Sequence, residues 1–256
     1  MNDQHLLYRV EDGVGTITIN REQQRNAITP EAIDLFHLYL DQAQKDEGVR
    51  ALLVTGAGEK AFCTGAQLGG GMATEGKDVF GYYASLLNRL ASFPKPTVAR
   101  IKGFCLAGGM GFMLACDIVI AADDAKFGTP EVNVGLWPMM IGALIFRNVL
   151  QKKAMEMILL GEGMTAAEAL AMGLITRVVP AANLDGEVAN VLKSLVSKSP
   201  IGMRIGKDAF YGAANMPLKE ALDYLSEKLK DVVSTEDSRE GITAFIEKRP
   251  PVFTGR

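Results

Sequence analysis

The sequence predicts an α/β fold that gives way to a helical C-terminal region, and three observations lead there. Short β-branched runs alternate with amphipathic stretches up to about residue 180, several helix ends carry capping residues, and no strand-like run follows Pro180.

The elements follow in order. Val14 to Asn20 (VGTITIN) is β-branched and reads as a strand. The next helix starts at a marked point: Thr29 is its N-cap, Pro30 takes the first helical position, and Ile28 and Ile33 are spaced as a hydrophobic staple. Ala32, Leu35, Phe36, Tyr39 and Ala43 then give it one apolar face. Further strands are expected at Ala51 to Thr55, Thr97 to Ile101, Ile118 to Ala122 and Thr176 to Val179. A helix around Ala154 to Leu160 should stop at Gly161, and another should open with the capping box Thr165 to Glu168 and end at Gly173. Beyond Pro180, the stretches Leu184 to Ser199, Ile201 to Ala214, Leu218 to Ser234 and Ser238 to Lys248 read as helices, richer in Lys and Glu.

Composition narrows the function. The 256 residues are 48% hydrophobic and 22% charged with a net charge of -3, which suits a folded globular chain and gives no reason to expect a nucleic-acid partner. Cys63, Cys105 and Cys116 have no CxxC spacing and only His5 and His37 could assist them, so no metal site is expected and the thiols read as packed and reduced in a cytoplasmic protein. His37 reads as structural. The N-terminus lacks a signal-peptide pattern. Gly103 to Ala122 carries a single charge, Asp117, but its four glycines fit a buried turn, helix and strand better than a membrane span.

Three places hold candidate chemistry. After the strand at Ala51, Gly56-Ala-Gly58-Glu-Lys-Ala61 matches a loose dinucleotide fingerprint, but Gly65, Gly69, Gly70, Gly71 and Gly76 interrupt the helix it should open. Gly103 to Gly109 has P-loop spacing with glycine in place of the lysine. What remains is a strand, a tight turn and a helix start, either a ready oxyanion site with unpaired N–H groups or a turn that needs glycine for space alone. Glu131 follows Pro130 among apolar residues. It is either a carboxylate of raised pKa in a cleft or a helix-start residue capping its own turn. Arg21, Arg25, Lys60, Lys248 and Arg249 could supply local positive charge, although scattered solvated charges are the default explanation.

Together these places resemble the crotonase (enoyl-CoA hydratase/isomerase) superfamily across nearly the whole chain. Arg25-Asn26-Ala27-Ile28, Ala61 to Ala66, Gly103 to Gly109, Ala115-Cys116-Asp117 and Phe127 to Glu131 stand in family order and spacing, and Ile242 to Arg249 with Phe253 is similar to the family's C-terminus. The resemblance implies a crotonase-like spiral of ββα units over residues 1–195. Over 196–256 it implies a helical oligomerisation region that builds homotrimers or, by pairing, homohexamers. It implies an acyl-CoA substrate of fatty acid metabolism, with no cofactor beyond the coenzyme A moiety itself. The N–H groups of Ala66 and Gly108 would form an oxyanion hole, with Glu131 as acid/base. Arg25, Ala27, Lys60, Ala61, Phe62 and Ala66 would border coenzyme A, and Lys248 and Phe253 would approach its adenine end from a neighbouring subunit.

The chain departs from that pattern at places that bear on the reaction. Hydratases of the family usually carry two glutamates, and the first position here is Gly111. A single glutamate is enough to shift a double bond, so isomerisation (an isomerase) and atypical hydration (a lyase) are both implied, with decarboxylation, hydrolysis or silent acyl-CoA binding as alternatives. Gln67 stands where aspartate is frequent. Trp137, Met139 and Met140 replace a glycine-rich turn, and either line an acyl pocket or pack in the core.

Overall fold

The computed structural model describes residues 4–67 and 78–256. Gly69, Gly70, Gly71 and Gly76 lie outside the described residues. Strands β1 (Leu6–Glu11) and β2 (Val14–Ile19) form an antiparallel hairpin, turned at Asp12-Gly13 with both residues at positive φ. Helix α1 (Pro30–Lys45) follows, and its Thr29 side chain accepts the Ala32 N–H as an N-cap should. Ile28 and Ile33 are both buried in the main core, so the expected staple is in place.

Three successive chain turns then share one plan, each a strand in a large sheet, a strand in a small sheet, and a helix. The first is β3 (Ala51–Gly56), β4 (Ala61–Cys63) and α2 (Val79–Ala91). The second is β5 (Thr97–Ile101), β6 (Phe104–Leu106) and α3 (Gly108–Leu114). The third is β7 (Ile118–Ala122), β8 (Lys126–Gly128), a 3-10 turn (Pro130–Val134) and α4 (Met139–Asn148). After α5 (Gln151–Leu160) come β9 (Met164–Thr165), α6 (Ala166–Met172) and β10 (Arg177–Val179). Gly161 and Gly173 end α5 and α6 in left-handed conformation, and Thr165 and Glu168 make the reciprocal capping box.

The large sheet runs β1-β2-β3-β5-β7-β10 and is parallel except for its first hairpin; the small sheet runs β4-β6-β8-β9 with β4, β6 and β8 parallel. Parallel strands are covered on both faces, and the core divides accordingly. Most of it lies between the two sheets and α1 to α4, with Phe36, Phe62, Phe112 and Phe127 fully buried. A second apolar layer packs Ala51, Val98, Ile120 and Ala122 of the large sheet against Leu184, Val188, Val191 and Leu192 of α7 (Leu184–Val196).

Helices α8 (Pro200–Ala213), α9 (Leu218–Val233) and α10 (Glu236–Glu247) pack on one another. Asp117, from the Ala-Cys-Asp segment, joins them to the core: its Oδ2 accepts from Thr97 N and from Lys207 Nζ on α8, at 2.7 and 2.5 Å. Among the described residues no helix is long and apolar enough to cross a membrane.

Candidate active site

The small sheet builds the site. Chain leaving the C-terminal ends of its three adjacent parallel strands converges there, the end at which ligands collect in open parallel sheets. Beyond β4 comes Gly65-Ala66, beyond β6 comes Ala107-Gly108, and beyond β8 comes Pro130-Glu131. These segments line one cleft of about 850 Å³.

Ala66 and Gly108 both line that cleft, and neither backbone N–H has a hydrogen-bond partner among the described residues. Ala66 forms an isolated parallel bridge with Ile28, in which Ile28 N donates to Gly65 O and Gln67 N to Ile28 O. In a parallel bridge the central residue points its own N–H to the opposite side, so the Ala66 N–H faces away from Ile28. Gly108 is the first residue of α3, where an N–H has no carbonyl within the helix to reach. The two segments touch: a Cβ on Gly65 would come within 2.8 Å of Ala107 Cβ and 3.2 Å of Gly108 N. Ala107 holds the turn at φ 49 and ψ −131, a conformation an L-residue adopts at a cost of about 1–3 kcal/mol.

The glycine run therefore divides between the two roles open to it. Gly103 has φ +62 and a Cβ there would fall on the Lys60 carbonyl, while a Cβ on Gly109 would fall on that of Cys63. Both are glycine for close packing. Gly108 differs: the nearest atom to its Cβ position is Tyr83 Oη at 3.3 Å, and what it presents is its N–H. The dinucleotide-like run at Gly56 is also packing, since Gly56 lies under Asn26 Nδ2 and the Phe62 carbonyl. Asn26 is itself a clamp, fully buried, accepting from Arg21 N and donating to Ala57 O and Ala61 O at 2.9, 2.9 and 2.7 Å.

Glu131 sits in the first turn of the 3-10 helix, as a helix-start residue should, and also lines the cleft. Its Oε2 is buried without a hydrogen-bond partner. Burial raises the carboxyl pKa above the usual range, partly opposed by its own backbone N–H. Trp137 and Met139 line the cleft while remaining 44% and 69% exposed, so they shape the pocket rather than filling the core, whereas half-buried Met140 both lines the cleft and packs against the core. Gln67 accepts from Arg21 Nη2 at 2.7 Å, and both residues border the cleft.

Comparison with known proteins gives the family and the fold. The family described as Enoyl-CoA hydratase/isomerase matches residues 9–256. The chain belongs to the enoyl-CoA hydratase/isomerase family. A probable enoyl-CoA hydratase of Mycobacterium tuberculosis is 36% identical over 258 residues, covering 100% of each chain. The short-chain-enoyl-CoA hydratase of Clostridium acetobutylicum is 32% identical over 96% of this chain and 95% of its own. The crystal structure of enoyl-CoA hydratase from Bacillus anthracis superposes with a TM-score of 0.94 at 30% identity, covering 99% of this chain and 100% of that one. The fold is thus the crotonase fold, and the three ββα turns are its spiral.

For this hydratase/isomerase family member, the structure brings Ala66, Gly108 and Glu131 into one cleft but does not bring most of the other expected residues to it. Arg25, Ala27, Lys60, Ala61 and Phe62 are not among the lining residues. Phe62 is 1% exposed within the core and Ala61 is 3% exposed, so β4, although an edge strand of the small sheet, keeps both side chains inside. Arg25 and Lys60 are exposed, with the Arg25 guanidinium 5.9 Å from the Phe104 ring centroid. Lys248 caps α10 at the surface, and Phe253 lines a separate cavity between α8 and α10. His37 stacks on Tyr82 and contacts Arg89, outside the cleft, as a structural histidine would. The three thiols are buried, and burial pushes Cys63 and Cys116 up to about 12, which leaves them unreactive.

Sequence reasoning missed Tyr83. Its hydroxyl donates to the Gly108 carbonyl at 2.6 Å and its ring meets Phe112 edge-on. The signal was the apolar stripe Val79, Tyr83, Leu86, Leu87, Leu90 at helical spacing, in which one member carries a hydroxyl.

Proposed function

We propose that this protein moves a proton at the carbon beside the thioester of an enoyl-CoA, with Glu131 as its one acid/base carboxylate and the N–H groups of Ala66 and Gly108 holding the enolate oxygen. The observation that carries this is the unpaired Glu131 oxygen, buried in an apolar cleft that also contains two unpaired backbone donors. A carboxylate oxygen buried without a partner makes its group a stronger base than a solvated carboxylate. Fixed donors aimed at a developing oxyanion contribute about 10²–10³ in rate each, and a positioned acid/base contributes about 10²–10⁴. The thioester supplies the acidity once its oxygen is held, so the reaction as proposed uses no cofactor beyond the coenzyme A of the substrate.

The same parts serve two outcomes. Glu131 takes a proton from C2 of a 3-enoyl-CoA and returns it at C4, shifting the double bond, or it relays a proton from water to C2 while the oxygen adds at C3. Relatives named as hydratases support the second. Trp137 and Met139 would bound the acyl chain. Leu218, Leu222 and Leu229 on α9 are 60–76% exposed, and Phe245 and Ile246 on α10 are 84% and 73% exposed. This supports assembly through the C-terminal helices as a trimer or pair of trimers, in which Lys248 and Phe253 could reach a neighbour's coenzyme A.

Separate incubation with 2-enoyl-CoA and 3-enoyl-CoA, with products identified by mass and proton NMR in deuterated water, tests the proposal. A 3-hydroxyacyl-CoA with deuterium at C2, or a shifted double bond with deuterium at C4, is expected. Absence of turnover and of C2 exchange across short and medium chains would refute it.

A further inference from the structure

We infer that the Tyr83 hydroxyl is a second catalytic group of this site, holding the attacking water opposite Glu131 and so directing the enzyme to hydration. The inference rests on the proton-transfer reading of Glu131 given above.

Three observations carry it. Tyr83 and Glu131 both line the cleft, as do Ala66 and Gly108. The hydroxyl stands over Gly111: a Cβ there would come within 2.5 Å of Tyr83 Oη and 2.7 Å of Ile141 Cγ2. No side chain can grow from position 111 while Tyr83 keeps its place, so the phenol is the polar group that this part of the cleft offers. Finally, the one proton of the hydroxyl is committed to the Gly108 carbonyl at 2.6 Å. A phenol that donates to the backbone has only lone pairs left for the cleft. It can therefore accept a hydrogen from water and cannot compete with Glu131 as a donor.

Burial holds the Tyr83 phenol well above its usual pKa, and the nearby Cys63 and Glu131 push in the same direction. The proton stays on the phenol, and Glu131 remains the only base of the pair. A water bonded to both groups would give one hydrogen to Tyr83 Oη and the other to Glu131. In the proposed step the water oxygen bonds to C3 and its O–H toward Glu131 breaks. The C2=C3 pair moves into the enolate, whose oxygen rests on the Ala66 and Gly108 N–H groups. Glu131 then delivers the proton it took to C2, so that H and OH are added and the carboxylate is restored. An isomerisation through Glu131 alone needs no such water and no acceptor at Tyr83.

The test separates water addition from enolate formation in the same protein. Tyr83→Phe is assayed for hydration of crotonyl-CoA and for exchange of the C2 protons of butanoyl-CoA in deuterated water, a reaction that uses the base and the N–H donors but adds no water. Hydration is expected to fall about 10²-fold or more, and by about tenfold more than exchange, which loses only the bond that steadies Gly108. The isosteric Tyr83→3-fluorotyrosine keeps the bond to Gly108 and makes the oxygen a poorer acceptor; it should slow hydration severalfold without slowing exchange. It also covers the case in which the phenylalanine variant does not fold. Undiminished hydration in either folded variant, or hydration and exchange falling together, would overturn the role. Wild-type protein that exchanges C2 protons but adds no water would overturn this inference and leave the Glu131 reading standing. Absence of both reactions would remove the Glu131 reading itself.

Discussion

Replacing Glu131 with Gln should slow the enzyme and stabilise it at neutral pH, because the same buried carboxylate is responsible for both effects. Its Oε2 is enclosed without a partner, and burial raises its pKa. An unsatisfied buried polar group costs on the order of 1–3 kcal/mol, and Gln is isosteric but carries no charge to desolvate. If about 1 kcal/mol is recovered, a chain of this size melts roughly 2–4 °C higher. The sign depends on pH. A raised folded pKa means that the folded protein binds the proton more tightly than the unfolded chain does. Wild-type stability from this group is therefore fully present below the ordinary carboxylate pKa and is lost as pH rises through the folded value. The Gln variant should melt above wild type at pH 8, and the difference should shrink as the pH falls toward the carboxylate range. Turnover of enoyl-CoA should fall about 10²–10⁴-fold, or roughly 3–5 kcal/mol of barrier. Wild-type kcat should rise with pH through the raised pKa, and the variant should lack that limb. Steady-state kinetics and paired thermal melts measure both. Unchanged turnover, or a melting difference independent of pH, would refute the reasoning.

Other changes probe the parts around it. Gly111→Ala puts a methyl against Tyr83 Oη and Ile141 and should cost about 1–3 kcal/mol by overpacking, lowering the melting temperature and hydration together; a variant as stable and active as wild type would show that the cleft wall yields freely. Ala107→Gly relieves a residue at φ 49, but the freed turn should fix the Gly108 N–H less well, so melting should rise slightly while kcat falls. Calorimetry beside turnover checks that opposition, and kcat equal to wild type would mean that the turn needs no side chain at 107. Trp137→Ala enlarges the cleft where Trp137 lines it, and should shift kcat/KM toward longer acyl chains by about tenfold or more, since one methylene in an apolar pocket is worth about 1–3 kcal/mol. A ladder of chain lengths reads this directly.

What the sequence made legible follows from how much local signal each element carries. Helix α1 announces itself through Thr29 and Pro30, and α6 through Thr165 and Glu168, because caps are short-range chemistry. The large-sheet strands are buried runs long enough to recognise. Strands β4, β6 and β8 have three residues each, too few for any periodicity, and so the small sheet that builds the site was not read from the residues themselves. Strand β1 was missed although Asp12-Gly13 marks its hairpin. The inward direction of the Phe62 side chain, in a segment expected to border coenzyme A, was hidden for the same reason as the small sheet. A three-residue strand offers no alternation to show that its side chains point inward, and its neighbours in sequence do reach the cleft.

The site itself shows why spacing found some of its members and not others. Gly108 and Glu131 carry unusual local sequence, a dense glycine run and an acid among apolar residues, which left their roles open until the family resemblance assigned them. The structure adds the strain: Ala107 holds the turn before Gly108 at positive φ and Glu131 Oε2 is buried without a partner, breaches that tend to mark function because the surrounding fold must support them. Tyr83 breaks nothing. It obeys the helical stripe of α2, packs on Phe112 and satisfies its hydroxyl on a backbone carbonyl. Only its proximity to Gly111, 28 positions along the chain, turns an ordinary core tyrosine into a polar wall of the cleft. Position 111 is thus not simply a lost carboxylate. Its missing side chain and the hydroxyl at 83 occupy one volume, and each is permitted by the other.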